Sequence, residues 1–195
     1  SDSDERGVGG APTVTSLSRG VPAKPMVLLL CDGGRDVAGS LPDCLRRHDI
    51  VVVPMDLQRQ SAPFSDILSG KAILPKFDAA VAGHFQGVIA TPNCGKRTVK
   101  RLTHGGPPQL TSRAQNVYAL PDLPSYDLLP LLLDNACVEV CAAFSLIIAH
   151  CHHGFYLWES HADRGDVTRP DVYVEQWHDH APVFLLQCFR ILESI

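Results

Sequence analysis

Residues 26 to 34 read Met26-Val27-Leu28-Leu29-Leu30-Cys31-Asp32-Gly33-Gly34. The first six form a short, continuous apolar run bounded by Pro25 before it and Asp32-Gly33-Gly34 after it. That is the pattern of a strand buried on both faces of a parallel sheet. From Asp36 to His48 the apolar residues Val37, Leu41, Cys44 and Leu45 recur at helical spacing, with Pro42 shortening or bending the helix. Ile50-Val51-Val52-Val53-Pro54-Met55-Asp56 follows, β-branched and ending in an acid. Strand, Gly-rich turn, helix, strand and acid are the opening of a nucleotide-binding α/β fold. Glycine lets the backbone approach a ligand closely, and an acid at the tip of the next strand can accept hydrogen bonds from ribose hydroxyls. Gly33-Gly34 alone also fits an ordinary turn and Asp56 alone a helix cap, so the argument rests on their order and spacing.

Working outward, a Pro-punctuated stretch containing Asp66-Ile67-Leu68 suggests no definite element. Phe85-Gln86-Gly87-Val88-Ile89-Ala90-Thr91-Pro92-Asn93-Cys94 reads as a further buried strand running into a tight loop. Lys96 to Asn116 is polar and basic, with Gly105-Gly106-Pro107-Pro108 inside it, and is expected to be a mobile loop. A long helix is predicted from about Ser125 to His152, with Leu129, Leu132, Leu133, Cys137, Val140, Cys141, Phe144, Ile147 and Ile148 packing inward. Phe155-Tyr156-Leu157-Trp158-Glu159 reads as a strand, and Pro182 to Ile195 supplies a last apolar element of undecided type. Ser1 to Ala23 has no apolar periodicity and is expected to be a flexible lead-in or a linker from something larger, leaving one domain over residues 24–195.

The bulk properties agree with one domain. The chain has 195 residues, 45% of them hydrophobic and 19% charged, enough for one substantial core and too few for two ordinary ones. The formal net charge of −4, which nine His offset in part at acid pH, excludes a surface coated in positive charge for nonspecific nucleic-acid binding. Any such binding is expected in the basic stretch. Seven Cys at irregular intervals, with no C-x-x-C pair, suit a reducing compartment better than a disulfide framework. No apolar run is long enough to predict a membrane span, and an intracellular protein, cytoplasmic or nuclear, is expected.

In their order these blocks resemble a small S-adenosylmethionine-dependent methyltransferase domain. They are most like the DNA cytosine 5-methyltransferases and the related domains of phages and of DIRS-like and Ngaro-type retroelements. The family's first block is similar to Val27-Leu28-Leu29-Leu30-Cys31-Asp32-Gly33, and its ribose-binding acid falls on Asp56. Its catalytic block, an apolar strand with Pro and then Cys, resembles Val88-Ile89-Ala90-Thr91-Pro92-Asn93-Cys94. Pro108-Gln109-Leu110-Thr111-Ser112-Arg113 and Ala119-Leu120-Pro121-Asp122-Leu123 resemble the blocks that follow, Asn135 fits as well, and Glu159-Ser160-His161 falls where the family has Glu-Asn-Val or Glu-Asn-Pro. Several positions depart from the pattern. Cys31 stands where an aromatic would stack on adenine, Asn93 replaces a Pro, Thr111 replaces the first Arg of a pair, and Ser160-His161 replaces the residues beside the Glu.

The resemblance implies a Rossmann-like class I methyltransferase fold, a mostly parallel sheet flanked by helices. It implies S-adenosylmethionine as cofactor, held by Cys31, Asp32, Gly33, Gly34, Asp56 and Pro92. It implies catalysis by Cys94, Glu159 and Arg113, and DNA contact through Lys96, Arg97, Lys100, Arg101 and Arg113, within a mobile-element or virus-like polyprotein whose other domains are partners. Carbon 5 of cytosine reacts only after a thiolate adds at carbon 6, the role implied for Cys94. Glu159 would hold ring N3 and the amino group, and Arg113 would orient the base or a phosphate. A duplex target would have to be flipped out. The residue types alone leave other readings open: Cys94 as a small buried residue, Glu159 as the salt-bridge partner of the Arg-rich loop, and the basic loop as a solvated surface. The competing functions are an inactive module of the same fold that binds protein or nucleic acid, and a methyltransferase acting on RNA or protein. No metal is expected. His150-Cys151-His152-His153 sits at a helix C-terminus, without a second ligand pair at finger-like spacing, and only His178 and His180 stand as partners.

Overall fold

The computed structural model describes residues 24–33, 37–56, 66–92, 109–160 and 162–194. Among the described residues four strands form one sheet: β1 (Met26–Leu30), β2 (Val51–Met55), β3 (Gly87–Ala90) and β4 (Phe155–Trp158). Their order is β2-β1-β3-β4 and every pairing is parallel. The sheet is therefore the mostly parallel, helix-flanked α/β type expected from the sequence. The family resemblance has no bearing on that assignment, which rests on the pairing.

Helix α1 (Leu41–Arg47) joins β1 to β2, α2 (Gly70–Val81) lies between β2 and β3, and α3 (Ser125–Leu146) between β3 and β4. The chain leaves β1 in one direction across the sheet and returns over it to reach β3. Right-handed crossovers then put α1 on one face and α2 and α3 on the other. The side chains obey this. Leu28, Leu30, Val88 and Ala90 join the main core with Ala72, Ala80, Cys137, Cys141, Phe144 and Ile148, whereas Val27, Leu29 and Ile89 pack with Leu45, Ile50 and Val52. Alternate residues of β1 are buried on opposite faces, the reason its sequence is apolar throughout.

Helix α1 is shorter than the predicted span. It begins at Leu41 with Pro42 in its first turn, where a missing N–H costs nothing, and the Ser40 side chain accepts from the Asp43 N–H. Helix α2 is an element that the sequence pattern did not predict. Pro75 sits inside it, and it packs on the core through Ala72 and Ala80, with Ile73, Ala79 and Phe77, whose ring stacks on Phe144 at 4.1 Å. The long helix covers the predicted extent, but its last turn, Ile147–Cys151, is a π-helix.

The inward face of α3 differs in its first half from expectation. The stripe set by Cys137, Cys141, Phe144 and Ile148 runs back through Asp134 and Asp127, which are buried. Leu129, Leu132 and Leu133 are exposed instead. By length and composition Ser125–Cys151 could cross a membrane, yet 56% of its most apolar window is buried within the protein. The final apolar stretch forms a short 3₁₀ turn (Val183–Leu185) and helix α4 (Gln187–Glu193). These pack Val183, Leu186, Phe189 and Leu192 against Val138 and Ala142 of α3. Trp158 joins the two cores, edge-on to Phe189 and donating from its indole N–H to Ser145 Oγ at 3.0 Å.

Candidate functional site

The direction of strand order reverses between β1 and β3, and the carboxyl ends of strands flanking such a reversal form the crevice where open α/β sheets take ligands. At that end of the sheet stand several of the predicted site residues. Cys31 has φ +60°, and its backbone is pinned on both sides. Its N–H donates to Met55 O at 2.8 Å, and its carbonyl accepts from the Thr91 hydroxyl. The Thr91 N–H in turn donates to Leu30 O, so the tips of β1 and β3 are tied to each other. Gly33, at φ +77°, is a second left-handed position, which suits a residue without Cβ. Its N–H donates to Asp56 Oδ2 at 2.6 Å, joining the predicted loop to the predicted acid at the tip of β2.

Asp56 is buried, as is Pro92 next to Thr91, while Asp32 is half-buried. The structure thus brings Cys31, Asp32, Gly33, Asp56 and Pro92 to neighbouring strand tips. Gly34, Asn93, Cys94, Lys96, Arg97, Lys100 and Arg101 lie outside the described residues, as do His161 and the predicted lead-in Ser1 to Ala23.

Cys31 turns its thiol into the core, 4.0 Å from Cys141 Sγ. Its thiol pKa is drawn down by a hydrogen bond with Cys137. It is pushed up further by the hydrogen bond with Cys141, by burial and by charge at Cys141 and Asp56, for a net rise. Cys137 is likewise held far above the ordinary thiol range by its hydrogen bond to Cys31, burial and the nearby charges of Cys31, Asp134 and Asp56. Cys31 and Cys137 are therefore protonated packing groups near neutral pH.

Glu159 is exposed and extends the ladder past β4, its N–H donating to Ala90 O. The carboxylate paired with Arg113 is that of Asp163, four residues further on, which takes the guanidinium at both oxygens, 2.5 Å each. The same Asp163 lies 3.8 Å from His180 Nδ1, and that nitrogen accepts from the Arg164 N–H. Arg113 Nε and the Ser160 hydroxyl are buried without a hydrogen-bond partner among the described residues.

Residues 109–116 contain no helix or strand, as predicted, but they are packed. Leu110, Thr111 and Ser112 are buried, the Arg113 N–H donates to Asp179 O and the Ala114 N–H to Asp179 Oδ1. Asp179 is raised by partial desolvation but held below the usual carboxylate range by hydrogen bonds from Ser112 and the Ala114 and Arg113 amides, and by His178. Asn135 is buried and donates to Tyr118 O, tying the 117–120 segment to α3. Sequence reasoning missed Thr91, Asp163 and Asp179. Each acts through a contact 50 to 70 residues away, which leaves no linear signature.

The clustered histidines part company. His152 meets Val81 O at 2.8 Å, His180 is buried beside Asp163, and His150 and His153 line a cavity of roughly 400 Å³ with Leu146, Ala149, Tyr156 and Leu192. Among the described residues no three His, Cys, Asp or Glu side chains converge as metal ligands would.

The described residues therefore define an α/β protein with a four-stranded parallel sheet whose predicted ligand residues gather at the order reversal. No family model, curated protein or solved structure matches the chain.

Proposed function

We propose that the chain is an S-adenosylmethionine-dependent methyltransferase-like domain of the Rossmann-like class I type, acting on cytosine in DNA and drawn from a mobile-element or virus-like polyprotein. The observation that carries this reading is the hydrogen bond from Gly33 N–H to the buried Asp56 carboxylate at the reversal of strand order. The cofactor's fit is supported by the open side of Gly33, where an added Cβ would meet nothing within 4 Å, and by an acid at the tip of β2. Cys31 gives no aromatic surface, because its thiol packs inward against Cys141. Asp32, Gly33, Gly34, Asp56 and Pro92 would hold the cofactor, which supplies an electrophilic methyl group.

In this reading Cys94 adds to cytosine carbon 6, making carbon 5 nucleophilic. Carbon 5 takes the methyl group, then loses its proton, and the thiolate leaves as the ring double bond reforms. Glu159, at the exposed end of β4, stabilises charge at N3 and the amino group. Lys96, Arg97, Lys100, Arg101 and Arg113 meet the phosphates. Methyl transfer to cytosine-containing DNA by wild type and by Cys94→Ser tests the assignment. Activity in wild type alone, with a covalent adduct on a 5-fluorocytosine oligonucleotide, supports it; equal activity in both variants refutes the nucleophile.

A second reading is favoured by the Arg113–Asp163 pair, in which one guanidinium nitrogen, Nη2, donates to both carboxylate oxygens: an inactive module of the same fold that binds protein or nucleic acid. An arginine whose charge is already matched by a carboxylate contributes little to a phosphate or a base. Loss of both cofactor binding and methyl transfer, with DNA binding intact, selects this reading.

A further inference from the structure

The side chain of His180 is 4% exposed, and its Nδ1 lies between two groups that favour different protonation states of the ring. The Arg164 N–H points at Nδ1 from 3.3 Å. A nitrogen that accepts a hydrogen bond carries no proton, so in this arrangement the imidazole is neutral with its proton on Nε2. Asp163 Oδ1 lies 3.8 Å from the same Nδ1, just beyond a hydrogen bond and close enough to favour a charged ring. The two segments are held backbone to backbone, since a Cβ on Gly165 would meet His178 O at 2.7 Å and His180 O at 3.1 Å. Asp163 is fixed as well, its Oδ1 accepting from the Gly165 N–H at 3.0 Å. Arg113 is the least fixed of the three: its side chain is 30% exposed, and among the described residues its guanidinium bonds only through Nη2, to Asp163. The other ionisable groups around them have their own contacts. Asp179 takes the Ala114 N–H, His178 meets Glu175 O, and Arg164 donates to Val172 O. Asp166, which also feels the charge of Arg113, takes the Thr168 N–H and hydroxyl.

We infer that His180 is a proton switch on Arg113. Protonation at Nδ1 ends the bond from the Arg164 amide and turns that nitrogen into a donor toward Asp163 Oδ1. One carboxylate then faces two cations. Asp163 and His180 are held by their surroundings, so the partly exposed guanidinium is the group that gives way, loosened from the oxygen that His180 takes. The set of Arg113, Asp163 and His180 passes from no net charge to one positive charge. This inference rests on the reading above in one respect, that Arg113 meets a phosphate of the nucleic acid. Under that reading the chain grips phosphate more tightly when His180 is charged, and His180 is a positioning residue that acts through Asp163.

Nuclear magnetic resonance of the whole chain between about pH 8 and about pH 5 tests the switch without nucleic acid. The ring signals of His180 are expected to titrate, and the side-chain N–H signals of Arg113 to shift with the same midpoint. Asp163→Asn is expected to lower the His180 midpoint, because the carboxylate that favours the charged ring is gone. His180→Gln keeps an acceptor for the Arg164 amide but takes no proton, and is expected to hold the Arg113 signals constant over the range. A His180 that keeps one protonation state throughout, or Arg113 signals that ignore its titration, overturns the inference. Fluorescence anisotropy with a single-stranded oligonucleotide at fixed salt then reads the consequence. Between the same two pH values, binding by wild type is expected to tighten about fivefold more than binding by His180→Gln, the scale of one unit-charge interaction in water. An equal change in both proteins, with the titrations of His180 and Arg113 still coupled, refutes phosphate contact by Arg113 and leaves the switch standing.

Discussion

The backbone N–H of Gly33 lies 2.6 Å from the Asp56 carboxylate, so the loop after β1 and the acid after β2 form one unit. The acid is buried and Gly33 is in a left-handed conformation. Hydrogen bonds to a charged acceptor contribute about 1.5–3 kcal/mol, so Asp56→Ala is expected to lower unfolding free energy by about that amount in urea titrations. Asp56→Asn keeps an acceptor and is expected to cost less. Equal stability of wild type and Asp56→Ala would remove this bond from the account.

The described cysteines should divide by reactivity. Cys44 and Cys151 are exposed, whereas Cys31, Cys137 and Cys141 lie together in the core and Cys188 is pushed up to about 12, chiefly by burial, with Glu139 adding to the rise. Iodoacetamide labelling of the native chain at neutral pH, mapped by peptide mass, is expected to modify Cys44 and Cys151 first and the core thiols only on unfolding. Rapid labelling of Cys31 would place its thiol in the crevice rather than the core.

Acid should loosen the segment that carries Arg113. Asp179 has a folded pKa below its ordinary value of 3.8, so its contribution to stability is complete above that value and disappears as pH falls through the folded pKa. Hydrogen exchange at the Arg113 and Ala114 amides is expected to accelerate below about pH 4 relative to the core strands, and in Asp179→Asn to be fast at neutral pH as well. Protection that is independent of pH in wild type would assign the packing of this segment to Leu110 and Thr111 alone.

Releasing Arg113 separates its two roles. Asp163→Asn removes the charge that matches the guanidinium, at a stability cost of about 1–3 kcal/mol because both side chains are only partly buried. If Arg113 meets phosphate, this variant is expected to bind DNA several-fold more tightly by fluorescence anisotropy at fixed salt, with a steeper salt dependence. Unchanged affinity and slope would make the pair structural.

The parallel sheet was legible because β1 and β3 are apolar on both faces, a pattern that few other arrangements produce. The placing of Gly33 and Asp56 at the tips of β1 and β2 was legible as well, since it follows from their order along the chain. Helix α2 was not, because Pro75 interrupts its pattern and its fully buried residues are two small alanines, with Ile73 and Phe77 only partly covered. The buried face of α3 was misread where Asp127 and Asp134 are buried and Leu129, Leu132 and Leu133 are exposed, reversing the usual polarity of inside and outside. The partner of Arg113 depended on folding to bring residue 163 beside it.

Calorimetric titration of the chain with S-adenosylmethionine, alongside Asp56→Ala, tests the proposed function most directly. The account predicts one-site binding to wild type and at least about tenfold weaker binding to Asp56→Ala, the scale expected on losing a charge-assisted hydrogen bond. No heat and no thermal shift with wild type, or equal binding by both proteins, would contradict it.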